Sequence, residues 1–349
     1  MSSPAIRQII LNSLTSRTTY EGNITFPCVP SALDQYERQL QRLFTEFGKP
    51  LSVEEMTQVR ELLQNNLRDG YQRGGSNYVV VNYQVTTAPT LKKSLGVRVG
   101  VQVPTLDEQY KTWAAKRGDN PFGAHPDARV MSVVDMLAAA HPPGTKFAAL
   151  DVGAGPGRNA IPLARRGLQV DAIEMTPLFS EQLEATARQE SLPLRLIHGD
   201  LFDMRTVIPL GKYSLACACE VVSHFRYGPP LRDFTERMCE SLVPGGYLLY
   251  NVFLPRPGYQ PDSLAREMAE IAWAALFTRA EVEDSIRGLP LRLVADDSVY
   301  DYEQAHLPVS AWPPTRWFEA WSRGWSIFPG GAEQIPPAEM RWLLFQRDA

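Results

Sequence analysis

Apolar residues recur at helical intervals over Ser31–Phe47 and Ser52–Arg68: Leu33, Tyr36, Leu40, Leu43 and Phe44 in the first stretch, Val53, Met56, Val59, Leu62 and Leu63 in the second. This spacing predicts two antiparallel helices, each turning one face to a core. Ser31 and Ser52 stand at N-cap positions, Glu55 completes a capping-box spacing with Ser52, and Gly48-Lys-Pro50 separates the pair. Beyond Gly70 the period changes. Tyr78–Val85 and Val97–Val103 are β-branched and partly alternating, which predicts two strands of a long-looped hairpin around Pro89. Residues 1–104 therefore read as a small α+β domain, and they carry no motif to which chemistry can be assigned.

From Pro104 onward the pattern is different. Leu106–Arg117 predicts a helix, residues 118–126 a turn-rich loop, and 127–140 another helix. Strands are then predicted at 147–152, 168–174, 194–198, 213–219 and 247–253, with Val243-Pro-Gly-Gly246 as the turn into the last. Helices at 159–166, 177–189 and 230–242 lie between them. Strands alternating with helices at this spacing imply a parallel sheet covered on both faces. The remainder predicts helices at 263–277 and 279–287 and strands at 291–300 and 340–346. An insertion rich in tryptophan and proline, about 303–337, contains Trp312, Trp317, Trp321 and Trp325.

Composition narrows the partners. The chain has 349 residues, 44% of them apolar, and a formal net charge of −4, which argues against bulk affinity for nucleic acid or anionic membrane. Its four cysteines, Cys28, Cys217, Cys219 and Cys239, form no C-x-x-C pair, so small apolar filler is favoured over metal ligation and no metal is expected. The N-terminus lacks the profile of a signal peptide and no apolar run is long enough for a membrane helix. A cytoplasmic protein is expected.

The candidate chemistry sits at Leu150-Asp-Val-Gly-Ala-Gly-Pro-Gly157, where a short apolar strand breaks into three alternating glycines before a helix. Glycines there let the backbone approach a ligand, and the helix N-terminus offers unpaired N–H groups. A dinucleotide turn has the spacing G-x-G-x-x-G, but Arg158 occupies the third glycine position. Asp151 would place an anion near an incoming pyrophosphate. It suits instead a ligand bearing an ammonium group, as S-adenosylmethionine does, with no phosphate at all.

From about residue 126 to the C-terminus the sequence resembles the class I S-adenosylmethionine-dependent methyltransferases, by pieces that stand in that family's order. Leu150–Gly157 resembles its first motif, which wraps the methionine moiety, so Asp151, Gly153, Ala154, Gly155, Gly157 and Asn159 are implied cofactor contacts. Glu174 falls where the family's ribose-binding acid lies, followed by Met175, and Asp200 with Leu201 where the adenine is held. Glu220–Phe225 falls at the fourth motif, which lines the methyl-transfer site and places Glu220 near the cofactor. Leu242–Leu249 is similar to the lead into strand five, and Arg341–Gln346 to the antiparallel seventh strand. The segment from Gly155 to Gly167 is similar to the small-molecule branch that includes tellurite-resistance-type enzymes. The resemblance implies a Rossmann-like α/β fold: a seven-stranded doubly wound sheet with an antiparallel last strand over residues 105–349, beside the N-terminal domain, which it does not cover.

Plainer readings stand beside these. Asp151 also suits a turn cap, Asp200 a turn residue, and Arg158 and Asn159 simple helix-start positions. His224 and Glu220 are the candidate catalytic groups, the histidine as general base, with packing of the fourth loop as the alternative for His224. The tryptophans fit either an aromatic lid over a sulfonium or ordinary core packing, and Tyr110 and Trp113 either a fold over the cofactor or one side of an amphipathic helix. No Asn/Asp-Pro-Pro-Tyr motif follows strand four, which disfavours amino methylation of nucleobases. A small organic acceptor is the first expectation, bound by the tryptophan-bearing insertion and the N-terminal domain. A protein acceptor and a non-catalytic scaffold are the alternatives, and the sequence does not define an oligomeric state.

Overall fold

The computed structural model describes residues 3–87, 93–117, 122–226, 229–330 and 334–348. The chain divides into two compact units, Met1–Pro104 with Asp262–Ile271, and Thr105–Pro261 with Ala272–Ala349.

The first unit is built on three antiparallel strands in the order β1 (Tyr20–Pro27), β2 (Tyr78–Thr87), β3 (Lys93–Gln102). Sequence reading anticipates β2 and β3 but misses β1, where Gly22 and Asn23 dilute the alternation that Ile24 and Phe26 begin. The tip around Pro89 lies outside the described residues. Helices Leu33–Glu46 and Val53–Arg73 pack Leu40, Phe44, Leu63 and Leu67 against Val79, Val81 and Val85. Ser52 and Glu55 form the expected capping box. Ser31 does not cap. Its N–H and hydroxyl both donate to the Glu267 carboxylate, at 2.8 and 2.9 Å, and the helix starts after a 3-10 turn, Pro30–Ala32. Ser31 therefore lies inside that turn, and the position that precedes the helix is Ala32, which has no side-chain acceptor to cap it.

The second unit holds a seven-stranded sheet. Its strands are β4 (Ala148–Val152), β5 (Gln169–Glu174), β6 (Leu194–His198), β7 (Tyr213–Ala218), β8 (Leu242–Pro255), β9 (Leu291–Ser298) and β10 (Ala338–Arg347). The spatial order is β6-β5-β4-β7-β8-β10-β9, with β10 antiparallel to both neighbours and the others paired in parallel. This is the expected Rossmann-like architecture. Because helices cover both faces, the central strands are apolar on both sides, as with Leu150, Ala216, Leu248 and Tyr250. The strand order reverses between β4 and β7, and such a switch point opens a crevice beyond the strands' carboxyl ends.

Three expectations are corrected. Val243-Pro-Gly-Gly246 is not a turn before β8 but an irregularity inside it, since Tyr213 pairs with Leu242 and Leu215 already with Tyr247. The helix that begins at Ser263 stops at Ile271, and Trp273 just beyond it takes a left-handed φ of 52°. The strand from Leu291 ends at Ser298, whose hydroxyl accepts from the Asp301 N–H and starts a helix, Val299–His306, at the head of the insertion.

Candidate active site

The glycine turn leaves β4 with Gly153 and Ala154 donating their N–H groups to the Ile173 carbonyl of β5, at 2.8 and 3.0 Å. Gly153, Gly155 and Gly157 all take positive φ, 67°, 55° and 101°, a region that other residues enter only with strain. They differ in what surrounds them. A side-chain carbon on Gly153 would strike Val221 and one on Gly157 would strike Ile161 and Leu183, whereas one on Gly155 would meet nothing within 4 Å. Gly155 thus faces open space of the kind a ligand's backbone-like chain fills.

Glu174 ends β5 and is buried, and each of its oxygens accepts a backbone N–H: Oε2 from Gly155 at 2.8 Å and Oε1 from Thr176 at 2.7 Å. The carboxylate therefore pins the glycine turn and keeps further lone pairs for a ligand hydroxyl. Met175 beside it is exposed. On the loop after β6, Asp200 is exposed and accepts from the Phe202 N–H at 2.9 Å, while Leu201 is buried with its carbonyl held by Arg237.

Asp151 is buried in β4. Its Oδ1 accepts from the Cys217 thiol at 3.4 Å, and Oδ2 has no hydrogen-bond partner. Burial pushes this carboxyl up to about 7. An orphaned carboxylate oxygen at the glycine turn is an unmet demand for a donor, and an ammonium group supplies both donor and charge. Together with the open space at Gly155, it fits the methionine end of S-adenosylmethionine.

A second polar layer supports the turn. Arg158 donates through Nη1 to Asp127 and through Nη2 to Glu220 Oε1 at 2.8 Å. Asn159 is buried and fully engaged with Asp127, accepting from its N–H and donating to its Oδ2, both at 2.9 Å. Glu303 caps the helix Ala128–Ala140 from outside the local sequence. It accepts from the N–H groups of Ala128 and Arg129, at 2.7 and 3.1 Å, and from the Trp342 indole at 3.1 Å. Burial would lower the Arg158 pKa, but the charges of Asp127 and Glu220 outweigh it and hold the guanidinium charged. Burial raises the Glu220 carboxyl against the pull of Arg158, and burial with the charge of Asp127 raises Glu303 to about 8.

Glu220 itself follows β7 with φ 62°, its N–H donated to Asn251 Oδ1 at 2.7 Å. Four residues on, at the end of a 3-10 turn, His224 Nε2 lies 3.3 Å from the Tyr110 hydroxyl. Burial raises the Tyr110 phenol, with the charges of Glu174 and Glu220 adding to the shift, so helix Leu106–Arg117 brings this side chain within electrostatic range of both acids. Surrounding protein pushes the His224 imidazole down to about 4, although the side chain keeps an exposed face. The direction of the shift is toward a neutral imidazole.

Tyr110 also meets Trp273 and Phe179, at ring separations of 5.4 and 5.5 Å. From the sequence, Tyr110 and Trp113 fit either a fold over the cofactor or one side of an amphipathic helix, and nothing there pairs Tyr110 with His224. Glu303 and Trp273 were missed. Neither has a local signature, since one acts across 174 residues or more and the other lay within a predicted helix. Among the described residues no group of three or more His, Cys, Asp or Glu is arranged to hold a metal.

Residues 149–246 match a family model described as a methyltransferase domain. A search of curated proteins finds no match. Among solved structures, the chain is similar to a putative sarcosine dimethylglycine methyltransferase from Galdieria sulphuraria, at 16% identity and a TM-score of 0.49, covering 69% of this chain and 98% of that one. It is also similar to a geranyl diphosphate C-methyltransferase from Streptomyces coelicolor A3(2), at 14% identity and TM-score 0.42, covering 63% and 81%. A third is the [4+2]-cyclase SpnF, at 16% identity and TM-score 0.43, covering 62% and 80%. The matched segment, 149–246, contains the glycine turn, Glu174, Asp200 and Glu220.

Proposed function

We propose that the protein methylates a small organic acceptor, with residues 105–349, apart from the segment Asp262–Ile271 that belongs to the first unit, as the methyltransferase domain and 303–337 as an insertion in it. Residues 1–104 are an accessory domain. The observation that carries the site assignment is the partnerless Oδ2 of buried Asp151 beside open space at Gly155. Asp151 takes the ammonium, the turn Gly153–Gly157 cradles the methionine chain, Glu174 accepts from the ribose hydroxyls, and Met175, Asp200 and Leu201 bound the adenine. Asn159 acts from behind, by fixing Asp127. The donor brings an already activated methyl group, so positioning and exclusion of water supply most of what the protein must add. Glu220 borders the acceptor, and His224, neutral and hydrogen-bonded to Tyr110, takes a proton where the acceptor must lose one.

The first motif's likeness to tellurite-resistance-type enzymes and the acidic charge support a small molecule over RNA. Four free, buried cysteines fit a reducing, cytoplasmic setting. Titration calorimetry with S-adenosylmethionine tests the donor site: Asp151→Ala and Glu174→Ala should each weaken binding with the fold intact, and unchanged affinity in both overturns the assignment. A labelled-methyl assay against a metabolite extract tests the acceptor class. Label in the small-molecule fraction supports the proposal, label in protein redirects it to a protein acceptor, and no turnover leaves a scaffold.

A further inference from the structure

Five of the protein's seven tryptophans fall into two kinds. Trp321 and Trp342 are buried with their indole N–H groups donating to the Ala272 carbonyl and to Glu303, as core tryptophans should. Trp113, Trp273 and Trp317 are only half-buried, yet they come together with Tyr110 and Phe122 beside exposed His224. Core packing accounts for the first kind, whereas so much aromatic surface in one partly solvated cluster marks a binding surface.

Their mutual angles indicate what they bind. Trp113 meets Tyr110 at 88°, Trp317 at 67° and Trp273 at 45°, and Tyr110 meets Trp273 at 50°. A slot for a flat ring needs parallel walls. Rings inclined to one another present electron-rich faces in several directions, which suits a compact cation. The electrostatics agree: the carboxylates of Glu174 and Glu220 act on Tyr110, and the imidazole of His224 is held toward its neutral form, so it does not repel a positive group. Trp273 is kept at a left-handed φ of 52°, a conformation that costs about 1 kcal/mol or more and persists where surroundings over-determine it, commonly at ligand sites.

We infer that Tyr110, Trp113, Trp273 and Trp317 form an aromatic box for an alkylammonium group, so that the acceptor is an amine whose methylated product is held there as a cation. This rests on the methyltransferase reading above and names its acceptor class. The amine nitrogen uses its lone pair to form the new N–C bond while the S–C bond breaks and its electron pair stays on sulfur, leaving the thioether. Positive charge moves from sulfur to nitrogen. An acceptor that keeps an N–H then passes that proton to His224 or water, and a tertiary amine passes none.

The test uses the full-length protein saturated with S-adenosylhomocysteine, which has no sulfonium, and compares choline with its uncharged isostere 3,3-dimethylbutan-1-ol by titration calorimetry. Choline should bind about tenfold more tightly than the isostere, and Trp273→Leu and Trp113→Leu should each erase about that factor. S-adenosylhomocysteine affinity and the circular dichroism spectrum should stay unchanged in these variants, which separates loss of the box from loss of fold. Equal binding of the two probes, binding of neither, or indifference to both substitutions overturns the proposal. If choline does not bind and the substitutions instead abolish a preference for S-adenosylmethionine over S-adenosylhomocysteine, the box serves the donor's sulfonium and the amine assignment falls. Failure of S-adenosylhomocysteine to bind strikes the donor-site reading, and the choline comparison on the free protein then decides the box separately.

Discussion

Arg158 donates to Glu220 at 2.8 Å with its other terminal nitrogen on Asp127, so one guanidinium bridges the start of a helix and the end of β7 across the candidate site. All three groups are largely buried. Arg158→Met would strand two carboxylates in the interior, and loss of one partner from a buried ion network typically costs about 3–5 kcal/mol. Urea unfolding should show that loss. The triple variant Asp127→Asn, Arg158→Met, Glu220→Gln should recover much of it, because no unpaired charge remains.

The glycines of the turn should separate binding from stability. Gly155→Ala adds a methyl group to open space, at a strain cost of about 1 kcal/mol, but intrudes on the methionine cradle. It should weaken S-adenosylmethionine binding at least tenfold with a small change in melting temperature. Gly157→Ala drives a carbon to within 2.7 Å of Ile161 and Leu183 and should lower the melting temperature more than Gly155→Ala does. The same pair measured by calorimetry and thermal melts would contradict the placement if both variants lost only stability.

Much of this site was legible in the sequence because its chemistry is local. The turn at Gly153–Gly157, Glu174 closing β5 and the strand–helix alternation are each written within a few residues, and the antiparallel last strand followed from the family resemblance. What was not legible depends on distant partners. Ser31 reads as a cap, but a 3-10 turn moves the helix start past it and its hydroxyl donates to Glu267; Arg158 reads as a helix start until Asp127 and Glu220 reach it, and Glu303 sits in an insertion with no signal that it caps another helix. Pro244-Gly-Gly246 carries the composition of a turn, and the pairing of Leu242 with Tyr213 absorbs it into a strand.

Asp151 and Glu303 give the protein an unusual pH dependence. Both carboxyls are raised by burial, from 3.8 to about 7 and from 4.5 to about 8, so the folded state holds protons that the unfolded chain has released. The unfolded state binds fewer protons in this window, and stability from these two groups falls as pH rises from about 4 to 8. Asp151→Asn should therefore stabilise the ligand-free protein at pH 8 and change it little at pH 4, by chemical denaturation. It should also weaken the cofactor. Binding an ammonium favours the ionised carboxylate, so below pH 7 complex formation should release a proton, measured as a dependence of the calorimetric heat on buffer ionisation enthalpy. Wild-type protein showing no release at pH 6 would place the ammonium elsewhere.

His224 and Tyr110 predict the shape of the pH–rate profile. An imidazole held down toward 4 is already a free base across the neutral range, so the acidic limb near 6.5 that an unperturbed histidine would impose should be missing. If the acceptor loses a proton to His224, His224→Ala should lower kcat by about 100-fold or more while leaving S-adenosylmethionine affinity unchanged. Tyr110→Phe removes the hydroxyl 3.3 Å from Nε2 but keeps the ring, so it should alter the pH profile more than acceptor binding. An acceptor that attacks without losing a proton reverses this expectation: His224→Ala then keeps kcat close to wild type, and the imidazole serves only as a neutral wall.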